Sequence, residues 1–236
     1  MRLNREDIIS KSLIIKKVNA QLDELLKYAF ADYVSLSNSL GNFYNKLKDF
    51  YDESGAFVDQ QKIEALLASL NQIIVDLQFH DIIRQKLEHI AFVHDHMIKE
   101  VDDGIKFSET KYFRVYPKIS KLHQAQLAFI SKEYRDHSLN IKHVLTKGVS
   151  QGVASLENFV FDFSETFNHI DKFSDTIQHM INALEVLSKE EVDGVDEFEV
   201  LNDIKKGYSM QSEREVFNQV FGIEEEFEDH DDIELF

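Results

Sequence analysis

Apolar residues recur in steps of three and four from near the start of the chain. Ile15, Val18, Leu22, Leu25, Ala29, Leu36, Leu40, Phe43, Leu47 and Phe50 keep this rhythm, with one gap after Ala29. Such spacing draws one apolar stripe along a helix. It predicts a helix over 6–52 whose stripe forms a bundle or coiled-coil seam. The run Asp52-Glu53-Ser54-Gly55 closes it, since glycine accepts the left-handed backbone of a helix cap. A second helix is expected over 59–100, broken by Asp102-Asp103-Gly104. A loop over 105–117 then ends at Pro117, the one proline. A third helical pattern runs over 118–146, and a fourth carries Val149, Val153, Leu156, Val160, Phe163, Phe167, Ile170, Ile177, Ile181 and Leu184. Gly148 and Gly152 weaken the join without forbidding it. The pattern leaves open whether 118–188 is one helix or two.

From Lys189 the rhythm dissolves into acidic sequence. This divides the chain into a helical bundle domain over 1–188, an acidic linker over 189–223 and a terminal peptide over 224–236. Within the linker, 209–221 is predicted to form one short amphipathic helix, with Ser209 or Ser212 as its cap. The terminal peptide, EEEFEDHDDIELF, intersperses Phe227, Ile233, Leu235 and Phe236 among acids. So few apolar residues build no core, and such a segment is expected to order only on a partner.

Composition agrees with an all-α fold. Eight glycines and one proline are too few for the turns of an all-β chain of 236 residues. The expected architecture is an elongated antiparallel four-helix bundle, formed within one chain or completed by homodimerisation. The absence of cysteine excludes disulfides, zinc-thiolate sites and a Cys nucleophile. No apolar run of 18 residues is present, so no membrane insertion is expected. The charged start MRLNREDIISKS does not read as a signal peptide, which makes the cytoplasm the expected compartment. Net charge is −17. Residues 189–236 hold 17 acids and 4 bases, a net of −13, which leaves −4 for the rest. Such a chain repels nucleic acid and favours a protein partner with a basic patch.

The second helix carries the most informative local feature. Ile63, Leu70, Ile74 and Leu77 share one face, and its continuation meets Asp81, Arg84, Gln85 and Glu88. The apolar positions Phe79, Ile82, Ile83, Leu87, Ile90 and Val93 have moved to the other side. The bland reading is a change of packing partner, with Arg84–Glu88 as an ordinary ion pair one turn apart. The functional reading is that Asp81 and Gln85, also one turn apart, present a carboxylate and a carboxamide outward to a second protein.

The segment Phe79-His80-Asp81-Ile82-Ile83-Arg84-Gln85 resembles the catalytic helix of CheZ-type chemotaxis phosphatases, in which a Phe-Gln-Asp run is followed by a Gln four residues after the Asp. His80 stands where the family has Gln, and Ile83-Arg84 where it has Thr-Gly. The terminal Asp231-Asp232-Ile233-Glu234-Leu235-Phe236 is similar to the family's regulator-binding peptide. The resemblance implies dephosphorylation of the phospho-aspartate of a CheY-like response regulator. It implies that Gln85 orients the attacking water and that Asp81 pairs with the regulator's lysine. Arg84 and Glu88 would contact the partner beside them. Phe227, Asp231, Asp232, Ile233, Leu235 and Phe236 would tether it. It also implies that this chain binds no cofactor or metal, the Mg²⁺ belonging to the regulator.

Three other readings compete. His143-Val144-Leu145-Thr146-Lys147-Gly148 approximates a phosphotransfer motif, but its Lys-Gly pair is displaced by one residue, which leaves His143 as a surface or seam histidine. A di-metal bundle needs Glu-x-x-His motifs, and none is present; His94-Asp95-His96 near a helix end reads as solvated. The third is a non-catalytic scaffold or adaptor that binds or sequesters a response regulator. The clustered Phe159, Phe161, Phe163, Phe167 and Phe173 read as core or interface packing.

Overall fold

A computed structural model describes residues 4–54, 60–150, 169–192 and 197–223. Every regular element among them is a helix. Four long helices, α1 (Arg5–Ser54), α2 (Gln60–Asp102), α3 (Tyr116–Ser150) and α4 (His169–Ser188), are followed by two short ones, α5 (Phe198–Lys206) and α6 (Gln211–Phe221). α1 packs on α2, α2 on α3, α3 on α4 and α4 on α1, which closes a four-helix bundle. The register is antiparallel throughout. Lys16 bonds Asp102 and Asn19 bonds Asp95, so numbers rise on α1 as they fall on α2. His94 meets His123 and Lys86 meets Glu133 in the same sense between α2 and α3. Among the described residues no helix is long and apolar enough to cross a membrane.

The ends of these helices follow from local chemistry. The amide of Asp7 donates to Asn4 Oδ1 at 2.9 Å and the amide of Asn4 donates to the Asp7 carboxylate at 3.3 Å. This reciprocal box satisfies amides that lack intrahelical partners and starts α1. Just past the end of α2 stands Gly104, whose φ of 70° lets the amide of Ile105 reach back to the Glu100 carbonyl at 3.1 Å. The stretch expected as loop holds two 3-10 turns, Phe107–Glu109 and Phe113–Val115. The carboxylate of Glu100 accepts from the amides of Lys111, Tyr112 and Phe113 at 2.6, 3.0 and 2.7 Å, pinning this connection to α2. Pro117 is the second residue of α3, where its missing N–H costs nothing.

Seam positions Ile15, Val18, Leu22 and Leu25 of α1 are buried, as are Ile177 and Leu184 of α4. Each such side chain withdrawn from water contributes roughly 1.5–3 kcal/mol. Phe173 is in the core, stacked on Tyr134 with ring centroids 3.9 Å apart. α3 continues through Gly148 to Ser150. The join expected around Gly152, the cap at Gly55 and Phe159, Phe161, Phe163 and Phe167 lie outside the described residues.

The segment 189–223 departs from the linker that the sequence suggests. α5 and α6 lie against the bundle, with Val200, Leu201, Ile204, Tyr208 and Phe217 in the same core cluster as the long helices. α6 begins at Gln211 with Met210 as its N-cap and no side-chain cap bond, so neither Ser209 nor Ser212 caps it. Helices of nine and eleven residues are marginal alone. Here Lys111–Asp203 at 2.6 Å and His89–Glu213 at 2.8 Å add ties across the joint. At the bundle's end, Glu190 accepts from Lys11 at 2.5 Å and from the Tyr116 hydroxyl, linking α1, α3 and the exit of α4.

Candidate functional site

The inner face of α2 fixes the phase of its outer face. Phe79, Ile83, Leu87, Ile90 and Val93 are buried. Ile82, grouped with them by pattern, instead stands 39% exposed. Its place inside goes to polar side chains. Lys86 is buried, 2.5 Å from the Glu133 carboxylate, with its ammonium over the Phe129 ring. His80 is buried edge-on against Tyr134. Burial, and then the charge of nearby His137, hold its pKa down to about 4. His94, expected in solvent, is buried too, and its Nε2 lies 2.9 Å from Nδ1 of His123. Burial lowers the His94 pKa to about 3 and that of His123 well below the ordinary value. The bundle encloses a polar layer because histidines, not aliphatics, occupy these inward positions.

The outer face gathers Asp81, Arg84, Gln85 and Glu88. The Asp81 side chain is 55% exposed. The Gln85 amide nitrogen donates to Asp81 Oδ2 at 2.7 Å. Arg84 donates to the other oxygen, Oδ1, from Nε at 3.0 Å and from Nη2 at 2.6 Å. Its remaining arm reaches Glu88 at 2.7 Å. The Arg84 bond first, and the Gln85 bond second, hold the Asp81 carboxyl below its ordinary value. Asp81 in turn, ahead of Glu88, raises the guanidinium. The ion pair of the bland reading therefore exists alongside the carboxylate–carboxamide pair of the functional one. Because its nitrogen is bound to Asp81, the Gln85 amide carries its oxygen on the far side from that carboxylate.

Sequence reasoning missed what lies one and two turns further on. His89 and Phe92 follow Gln85 at four and seven residues, on the same side of the helix. Phe92 is 57% exposed. With Val93, Tyr112, Ile204 and Tyr208 these two residues line an apolar groove of about 280 Å³ between α2 and α5. Glu213 is almost wholly buried and accepts from His89 Nδ1 at 2.8 Å. That bond, opposed by burial, raises the His89 pKa above its ordinary value. The available signal was a charged residue in the first turn of a short amphipathic segment, Ser212-Glu213-Arg214, which alone names no partner.

Among the described residues no group of three or more His, Asp or Glu is placed to hold a metal. His143 is exposed on α3. The tether positions Phe227, Asp231, Asp232, Ile233, Leu235 and Phe236 lie outside the described residues. Compared with protein-family models, curated proteins and solved structures, the chain has no match in any of the three.

Proposed function

We propose that this protein is a CheZ-like phosphatase that accelerates hydrolysis of the phospho-aspartate of a CheY-like response regulator. The observation that carries the reading is the 2.7 Å hydrogen bond between Gln85 and the exposed Asp81 on the outer face of a well-packed helix. A rigid amide of this kind can accept a hydrogen bond from one water and hold it in line with phosphorus. The water oxygen forms a bond to phosphorus, the bond to the aspartyl oxygen breaks, and the regulator's carboxylate and inorganic phosphate leave. Catalysis is by positioning, worth up to about 7–11 kcal/mol in well-oriented systems, and needs no base or metal from this chain. Mg²⁺ is supplied by the regulator. Asp81 takes the regulator's active-site lysine in exchange for Arg84, and residues 224–236 raise the regulator's local concentration.

The two Arg84 bonds to Asp81 favour a second reading, a non-catalytic adaptor that binds the regulator, because they occupy the oxygen that the lysine would need. One measurement separates the two. Phosphate release from the phosphorylated cognate regulator, followed with wild type and Gln85→Ala, should lose its acceleration in the variant while regulator binding persists. Equal rates for the two proteins remove Gln85 from the mechanism. Binding without acceleration by wild type leaves the adaptor.

A further inference from the structure

A cavity of about 580 Å³ lies away from Gln85 at the end of the bundle where α1 begins and α2 ends. This is within the usual range of ligand pockets. Ile9, Leu13 and Ile105 line it and are each about half exposed, an unusual gathering for a bundle end. Arg5, Lys16 and Lys106 stand among the lining residues with one carboxylate, Asp102. In a chain of net charge −17 this is a local cationic exception. Lys16 commits its ammonium to Asp102 at 2.6 Å, and Lys106 approaches Glu109 at 3.3 Å. Ser12, on the same wall, is buried with a hydroxyl that has no hydrogen-bond partner. The site thus offers apolar sockets and a rim in which Arg5, Lys16 and Lys106 outnumber the carboxylates Asp102 and Glu109 by one.

We propose that this cavity is the resting dock of the chain's own terminal segment, residues 224–236, held there intramolecularly until a partner takes it. Charge complementarity carries the assignment. The segment has eight acids, no Lys or Arg, and four spaced apolar anchors, Phe227, Ile233, Leu235 and Phe236. Apolar anchors seat in the sockets while carboxylates meet the rim. The groove beside Gln85 is the wrong destination, since Asp203 lines it and Glu88 and Glu213 stand next to it. The chain is long enough. Glu213 fixes α6 at the level of His89, about 20 Å along α2 from Asp102. Were α6 to run wholly away from the cavity, Ile223 would stand about 35 Å from it. The stretch from Ile223 to Leu235 extends to about 40 Å, so even then Leu235 and Phe236 reach the sockets. The docking itself stands on the cavity and the segment; its consequence, that the regulator must compete for a stored tether, rests on the function proposed above.

The absence of cysteine makes the test direct. In the full-length chain, Leu13→Cys is combined with Leu235→Cys, and disulfide formation is timed under mild oxidation. Ile9→Cys replaces Leu13→Cys as a second probe, because truncating either anchor socket could itself weaken docking. Val186→Cys is the reference. It is exposed and lies at the same end of the bundle, where Lys11 binds Glu190, but outside the cavity. The intramolecular bond should form at least about tenfold faster at the cavity than at Val186, as expected for a raised effective concentration. Adding Arg5→Glu and Lys106→Glu should erase about threefold or more of that advantage, as should 1 M salt. Equal rates at the cavity and at Val186 overturn the proposal. Disulfide-linked dimers as the main product overturn it too, by making the occupant a second copy. Neither readout involves phosphate release, so a failed dock and a failed phosphatase reading are told apart.

Discussion

His89→Ala should loosen α6 from the bundle while leaving the four long helices intact. The imidazole is the partner of Glu213, a carboxylate only 3% exposed whose other oxygen, Oε2, has no hydrogen-bond partner. Removing the partner of a buried charge costs about 3–5 kcal/mol when both groups are fully enclosed. The His89 side chain is 29% exposed, so water recovers part of the loss, and about 2 kcal/mol is expected. That corresponds to about a thirtyfold rise in local opening of 211–221. Glu213→Gln removes the charge but keeps an acceptor, and should cost about 1 kcal/mol. The sign of the pH dependence follows from the raised His89 pKa. The stabilisation is fully present below about pH 6.5, the unfolded value, and is lost as pH rises through the folded value. Amide exchange protection over 211–221 measures all three, taken relative to the buried part of α3. If His89→Ala leaves that protection unchanged, or if Glu213→Gln costs more than His89→Ala, the reasoning from an enclosed carboxylate is wrong.

The His94–His123 pair should make the bundle sensitive to acid. Both imidazoles are buried and neutral, with pKa values pushed down by burial, that of His94 to about 3. Stability is therefore intact above about pH 6.5 and falls as pH drops from there toward the folded value, because the unfolded chain binds protons the folded one refuses. Urea midpoints from pH 7.5 to 4.5 should fall less steeply for His94→Leu/His123→Leu than for wild type; parallel curves would assign the acid sensitivity to other groups. Gly222→Ala should cost about 1 kcal/mol, since Gly222 has a φ of 65° and closes α6 through the Ile223 amide at 3.0 Å from the Asn218 carbonyl. An added Cβ there meets open space, so the strain is in the backbone alone. Thermal unfolding checks it, and an unchanged or raised midpoint would count against it.

The helices of the bundle and most of their ends follow from local pattern. Period is a local property: Ile15, Val18, Leu22 and Leu25 must share a face if the chain is helical there, and Gly104 accepts the left-handed turn that stops α2. The outward position of Asp81 and Gln85 was legible for the same reason, because one turn of helix fixes their spacing. Tertiary structure alone decided which polar residues point inward and which short segments adhere. Lys86, His94 and His123 look like surface residues in a charged sequence, yet each is buried because a partner on the facing helix meets it, Glu133 and His123 of α3 for the first two and His94 of α2 for the third. α5 and α6 read as acidic linker because their apolar residues are too few to fold alone. They hold because α2 and α3 present the other half of a shared core, with a histidine for the carboxylate of Glu213. Local pattern specifies which faces a helix has; only the packed neighbours decide what each face touches.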